Sequence, residues 1–152
     1  MDTGYFYFIK DEFFNEFAGS NLMENKVINK RPCYFAFIEK KTQLLWFIPI
    51  SSQYDKYESI YQKKKAKNGV CDTIILGKLL GHKCAFLIQN MFPCDAKYIE
   101  NKYIHSNSPV KVDGVLQKEI ETKAKKILVL SRIGKKILFT DINKIESFLS
   151  KK

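Results

Sequence analysis

Apolar positions follow two rhythms, one for each half of the chain. In the first half, short runs dense in aromatic and β-branched residues are separated by polar stretches, the pattern of strands. Tyr5 to Ile9 is the first run. Cys33 to Glu39 and Leu44 to Ile50 are two stronger ones, and Lys40-Lys41-Thr42-Gln43 between them predicts a hairpin. Pro49 is expected at a strand end, because proline has no N–H to give a ladder. Asp72 to Gly77 and Lys83 to Gln89 read as further strands, and Lys97 to Ile104 as a weaker extended segment. Phe13, Phe14 and Phe17 stand at helical spacing, with Asp11 and Glu12 in the first turn, so a short helix is expected from Asp11 to Phe17, ending near Gly19. Ser20 to Lys30 and Ser51 to Tyr57 read as polar loops, and Asn68-Gly69 as a turn.

Past Pro109 the period changes. Val112, Leu116, Ile120, Ala124 and Ile127 recur every three to four residues, which predicts one long amphipathic helix ending near Gly134. Its polar face carries Lys118, Lys123, Lys125 and Lys126. A last short helix follows, with Thr140 or Asp141 as its N-cap and Ile142, Ile145, Phe148 and Leu149 as its apolar stripe. Strands come mostly first and helices last. The expected fold is therefore α+β, with an antiparallel sheet or partly open barrel, in a single domain over residues 1–152.

Composition adds the character of the surface. Lys and Arg number 26 against 16 Asp and Glu, a formal net charge of +10. A surplus of this size favours a polyanionic partner, and lysine neutralises phosphate without regard to sequence. Aromatics make up 14% of the chain, enough to offer stacking surfaces for unpaired bases among the lysines. The competing account is a lysine-rich solvated surface with no polyanion to bind. No apolar run reaches the ~18 residues of a membrane span, and the expected partners include neither a membrane nor DNA. The N-terminal residues have neither a basic nor an apolar signal region, and the four cysteines have no CxxC spacing. A cytoplasmic protein with buried, reduced thiols is the expectation.

Known catalytic patterns are few. His82 and His105 have no ligand spacing to each other or to the cysteines, so neither a metal nor a cofactor is expected. There is no Walker loop, GxGxxG stretch or GxSxG elbow. The informative stretch is Ser51-Ser52-Gln53-Tyr54-Asp55-Lys56-Tyr57, which follows the second strong strand. Hydroxyls and a lysine hold phosphate, and Tyr54 or Tyr57 can stack a base. An antiparallel hairpin places the start of its first strand beside the end of its second. Lys30 and Arg31 should therefore lie near Ser51 and Ser52.

These residues resemble the toxin component of type III toxin–antitoxin systems, the ToxN/AbiQ family. The likeness is carried by an aromatic first strand (Phe6-Tyr7-Phe8-Ile9), a basic-Pro strand start (Lys30-Arg31-Pro32) and Pro49-Ile50-Ser51-Ser52 with Lys56 beyond it. Asn68-Gly69, Gly77-Lys78-Leu79 and Asn90-Met91-Phe92-Pro93 extend it. The resemblance implies a compact, highly twisted antiparallel sheet, a small barrel-like core flanked by helices. It implies metal-independent cleavage of single-stranded RNA by 2′-OH attack, leaving 2′,3′-cyclic phosphate and 5′-OH ends. It also implies a small, folded, repeat-derived RNA antitoxin that inhibits the toxin in a closed assembly, with a role in growth arrest or phage defence.

Carried across by position, Ser51 and Ser52 match the family's hydroxyl pair. Lys56 matches a basic position after it, and Lys30 or Arg31 supplies the cation of the first strand. The chain departs from the family where Gln53-Tyr54 replaces a Pro-Lys step, so that either Lys56 takes over or Tyr54 alters the chemistry. No histidine or carboxylate stands at these positions as a general base. Lys63, Lys64, Lys65, Lys67, Lys118, Lys123, Lys125 and Lys126 are the remaining candidates for gripping RNA. The alternative function is a non-catalytic basic RNA-binding module.

Overall fold

The computed structural model describes residues 1–23 and 31–150. Strands are β1 (Phe6–Ile9), β2 (Cys33–Ile38), β3 (Leu45–Ser51), β4 (Ile74–Leu79), β5 (His82–Leu87), β6 (Phe92–Cys94), β7 (Ile99–Lys102), β8 (Ile104–His105) and β9 (Ser108–Pro109). Helices are α1 (Asp11–Glu16), α2 (Tyr54–Asn68), α3 (Gly114–Arg132) and α4 (Ile142–Leu149). The main sheet is antiparallel and runs β4-β5-β3-β2-β1-β7, with β6 also paired to β3. It is open, ending on β4 and β7, rather than closed into a barrel. The α+β class expected from the sequence holds.

The central hairpin explains the layering. β2 and β3 are almost wholly buried because helices cover both faces of the sheet. Alternation divides their side chains between two cores. Tyr34, Ala36, Trp46 and Ile48 pack with Ile120, Ala124 and Ile127 of α3. Cys33, Phe35, Leu45 and Phe47 pack on the other face with Phe13 of α1 and Ile145 and Leu149 of α4. The register slips between Phe35 and Phe37, and the bulge turns Ala36 and Phe37 toward the same α3-side core. Pro49 stands opposite Cys33 two residues before the strand ends, between the stretches of β3 that pair with β6 and with β5.

A third cluster corrects the sequence reading. The segment from Tyr54, expected as a loop through Tyr57 and then a lysine run with a turn, is one continuous helix, α2. Its apolar stripe is narrow: buried Tyr57 with Ile60 and Tyr61 packs on Cys71, Ile74, Ala85 and Leu87. That stripe is too thin to raise a periodic signal among so many lysines. Asn68-Gly69 ends the helix, Gly69 taking the left-handed conformation at φ 82° that closes an α-helix. β4 and β5 meet in a two-residue turn, Leu80-Gly81, with φ of 52° and 80°, the geometry that matches strand twist in a tight hairpin.

The remaining helices follow the sequence closely. Asp113 caps α3 by accepting the Leu116 N–H at 2.9 Å, and Asp141 caps α4 by accepting the Lys144 N–H at 3.2 Å. The open choice of N-cap for α4 thus falls on Asp141. All four cysteines are free and buried. No helix among the described residues is long and apolar enough to cross a membrane.

Candidate functional site

The end of β3 gathers the chemistry. β2 lies on one side of it and β5 on the other. Cys33 is paired with Pro49, so Arg31 and Pro32 run on beside Ile50 and Ser51. Ser51 is paired with Ala85, so His82, Lys83 and Cys84 run back past Ser52 from the opposite side. A recess of about 220 Å³ results, lined by Arg31, Ser51, Ser52, His82, Lys83 and Cys84. Its apolar walls come from Pro32, Ile50 and Leu79.

The two serines differ. Ser51 is 4% exposed, and its hydroxyl oxygen accepts the backbone N–H of Gln53 at 3.1 Å. That bond turns the chain from strand into helix, and it leaves the Ser51 O–H to donate elsewhere. Ser52 is exposed. α2 begins two residues later, and its N-cap residue Gln53 makes no side-chain capping bond. The first-turn N–H groups and the positive end of the helix dipole therefore add to the pull on an anion at this end of the sheet.

A second recess of about 540 Å³ continues from the first, sharing Ser52 and Lys83 with it and reaching Tyr54, Asp55 and Lys56. Lys56 lies in the first turn of α2, not in a loop. Lys83 Nζ stands 5.2 Å from the centre of the Tyr54 ring, a cation–π contact that fixes both at the mouth. Partial desolvation and a hydrogen bond to Glu58 push the Tyr54 phenol above its ordinary pKa, so it stays neutral. Burial raises the Cys84 thiol to about 11, which keeps it protonated.

The predicted site residues thus separate. Ser51, Ser52 and Arg31 come together, with Lys56 in the adjoining recess. Lys30 lies outside the described residues. Tyr57 is a correction: it is buried in the core under α2, so only Tyr54 of the two offers a ring to solvent. Lys64 is tied inward, donating to Thr73 at 2.8 Å and Gln89 at 3.2 Å. Lys63, Lys65 and Lys67 lie further along α2, and Lys65 Nζ is 6.0 Å from the Tyr61 ring centre. On α3, Lys123, Lys125 and Lys126 pair with Glu119, Glu121 and Asp72 at 3.1, 2.8 and 2.7 Å, while Lys118 lies exposed.

Two members were missed. His82 and Lys83 enter the site because β5 pairs with the free edge of β3. The strand read from Lys83 onward was legible, but a run of apolar residues does not say which strand will be its neighbour.

The fold, an open antiparallel sheet with helices on both faces, is one already seen in solved structures. Two solved structures share it over nearly the whole chain. One is AbiQ, a lactococcal anti-phage endoribonuclease belonging to the type III toxin–antitoxin system. It superposes with a TM-score of 0.69 at 15% identity, covering 99% of this chain and 100% of its own. The other is a chain from a bacterial type III toxin–antitoxin structure concerned with selective toxin inhibition by a non-coding RNA pseudoknot. Its TM-score is 0.67 at 15% identity, covering 99% of this chain and 98% of its own. No family model matches the sequence, and no curated protein does.

Proposed function

We propose that the chain is an endoribonuclease toxin of a type III toxin–antitoxin system. The observation that carries this reading is the meeting of Arg31, Ser51 and Ser52 in one recess at the end of β3. A phosphodiester seated there receives the Arg31 guanidinium, whose planar fork matches phosphate oxygens. Ser52, exposed at the recess, donates to the same group, and the buried Ser51 adds its O–H where the phosphate reaches the strand end. As the ribose 2′-OH attacks, negative charge builds on the phosphate oxygens, and these donors stabilise it. Holding the 2′-oxygen in line with the departing 5′-oxygen supplies a further part of the acceleration. Lys56 and Lys83 hold the backbone on either side, and Tyr54 offers a ring to a neighbouring base. The products are a 2′,3′-cyclic phosphate and a 5′-OH, with no metal ion in the scheme. The inhibitor is a small folded RNA, derived from repeats, that occupies the basic surface in a closed assembly. Growth arrest or phage defence is the outcome in the cytoplasm.

Purified protein incubated with short single-stranded RNA tests this. The expected products carry cyclic-phosphate ends. Ser52→Ala should slow cleavage by about 10²–10³-fold, the usual cost of one transition-state donor, while RNA binding is retained. Induced expression should arrest growth, and Ser52→Ala should relieve the arrest. Wild-type protein that binds RNA and leaves it intact would identify a binding module instead.

A further inference from the structure

Resting on the endoribonuclease reading, we infer that His82 is the general base of the reaction, taking the proton from the attacking 2′-OH. Position is the first support. Cys84 and Phe86 of β5 belong to the α3-side core, as does the packing of Ile50. Side chains two apart on a strand share a face, so His82 projects on the side of Cys84 and Ile50, at the exposed end of the recess. Arg31 enters the same recess from the far side of β3, so the imidazole and the guanidinium flank the phosphate seat rather than crowd one edge of it.

Elimination is the second support. The charged and titratable groups facing His82 are Arg31 from the start of β2 and Lys83 and Cys84 from its own strand. Asp55, Lys56 and Tyr54 face the adjoining recess from α2, and β4 brings Lys78 opposite Lys83. A protonated guanidinium or ammonium has no lone pair to accept a proton, and the Asp55 carboxylate lines the adjoining recess rather than this one. The Cys84 thiol and the Tyr54 phenol are both held protonated, the first by burial, the second by desolvation and Glu58. Among the residues lining the recess, imidazole alone both accepts and releases a proton near neutrality. Sequence position hid this, since His82 lies 30 residues beyond Ser52.

The step balances without a co-reactant. The 2′-OH proton passes to the imidazole as the 2′-oxygen–phosphorus bond forms. The phosphorus–5′-oxygen bond breaks, and its electron pair leaves on the 5′-oxygen, which takes a proton from water. The imidazolium then returns its proton to solvent.

The test is the pH–rate profile of single-turnover cleavage for wild type and His82→Ala, with His82→Asn as a second variant that keeps a polar side chain. Wild-type rates should climb on the acid side and level off as the imidazole loses its proton. Both variants should be slower by about 10²–10⁴-fold, lose that plateau and keep their RNA affinity and thermal midpoint. Added imidazole should restore part of the rate to His82→Ala. A substrate with sulfur in place of the 5′-bridging oxygen needs no acid for its departure, so a base variant should remain slow on it. Rescue by that sulfur would overturn the assignment by making His82 the acid. So would variants with wild-type rates and profile, which would leave the nuclease reading intact. Only a wild-type protein inert toward RNA would overturn that reading as well.

Discussion

Two arginines are present in the whole chain, and they divide the work. Arg31 lines the recess; Arg132, at the end of α3, locks the fold. Its guanidinium donates to Glu39 at 2.8 and 2.9 Å and to Glu146 at 2.6 and 2.7 Å, joining the tip of the β2–β3 hairpin to α4. Glu39 also accepts from Thr42 at 2.8 Å and from the Trp46 indole at 3.2 Å. Desolvation alone would raise the Glu39 carboxyl, but the bonds from Arg132 and Thr42 outweigh it and hold the pKa below 4.5. A lowered carboxyl stabilises the fold above its ordinary value and loses that contribution as pH falls through the folded one. Glu39→Gln should therefore cost about 1–3 kcal/mol at pH 7, by analogy with other bonds to charged groups. The gap from wild type should shrink as pH falls below the ordinary glutamate range, and urea denaturation at neutral and at acid pH measures it. None of these ties was legible in the sequence, because Glu39 and Arg132 are 93 positions apart. The hydroxyl pair and Arg31 were legible, since a tight hairpin sets the neighbours of its own ends. His82 was not, because its place depends on a pairing between strands from different hairpins.

Elements were legible in proportion to their apolar content. β2, β3 and α3 bury broad faces, and their patterns announced them. α2 buries little, so its lysines and glutamine read as a loop. What stops it is local: Gly69 sits at φ 82°, and a Cβ built there meets nothing within 4 Å. Gly69→Ala therefore adds no clash and isolates the backbone cost of the left-handed conformation, about 1–2 kcal/mol. Chemical denaturation should show that loss. Cleavage should be unchanged, because the recess lies at the other end of the helix. A larger loss, or a loss of cleavage at unchanged stability, would mean that the C-terminal end of α2 contributes to the site.

At the scale of the molecule the proposed function raises the question of which part of the +10 would meet RNA. The α3 face was expected to be one such surface, but three of its four lysines already lie against carboxylates. Lys123, Lys125 and Lys126 with Glu119, Glu121 and Asp72 sum to no local charge. On α2 the balance is different: its acids, Asp55 and Glu58, are near the recess, while Lys63, Lys65 and Lys67 follow with none beside them in the sequence. Each phosphate neutralised on single-stranded RNA contributes about 0.7 to the slope of log affinity against log salt. Lys63→Gln, Lys65→Gln and Lys67→Gln together should therefore flatten that slope by about 2 if each meets a phosphate. Replacing the bonded pair Lys125 and Glu121 by glutamine at once leaves the net charge unchanged and should alter the slope by less than about 0.5. Titrating a fluorescent single-stranded RNA across a salt series separates the two. Equal slopes for the α2 variant and wild type would move the RNA path off α2. A large change in the α3 pair variant would show that RNA displaces its carboxylates, and that the paired face belongs to the interface after all.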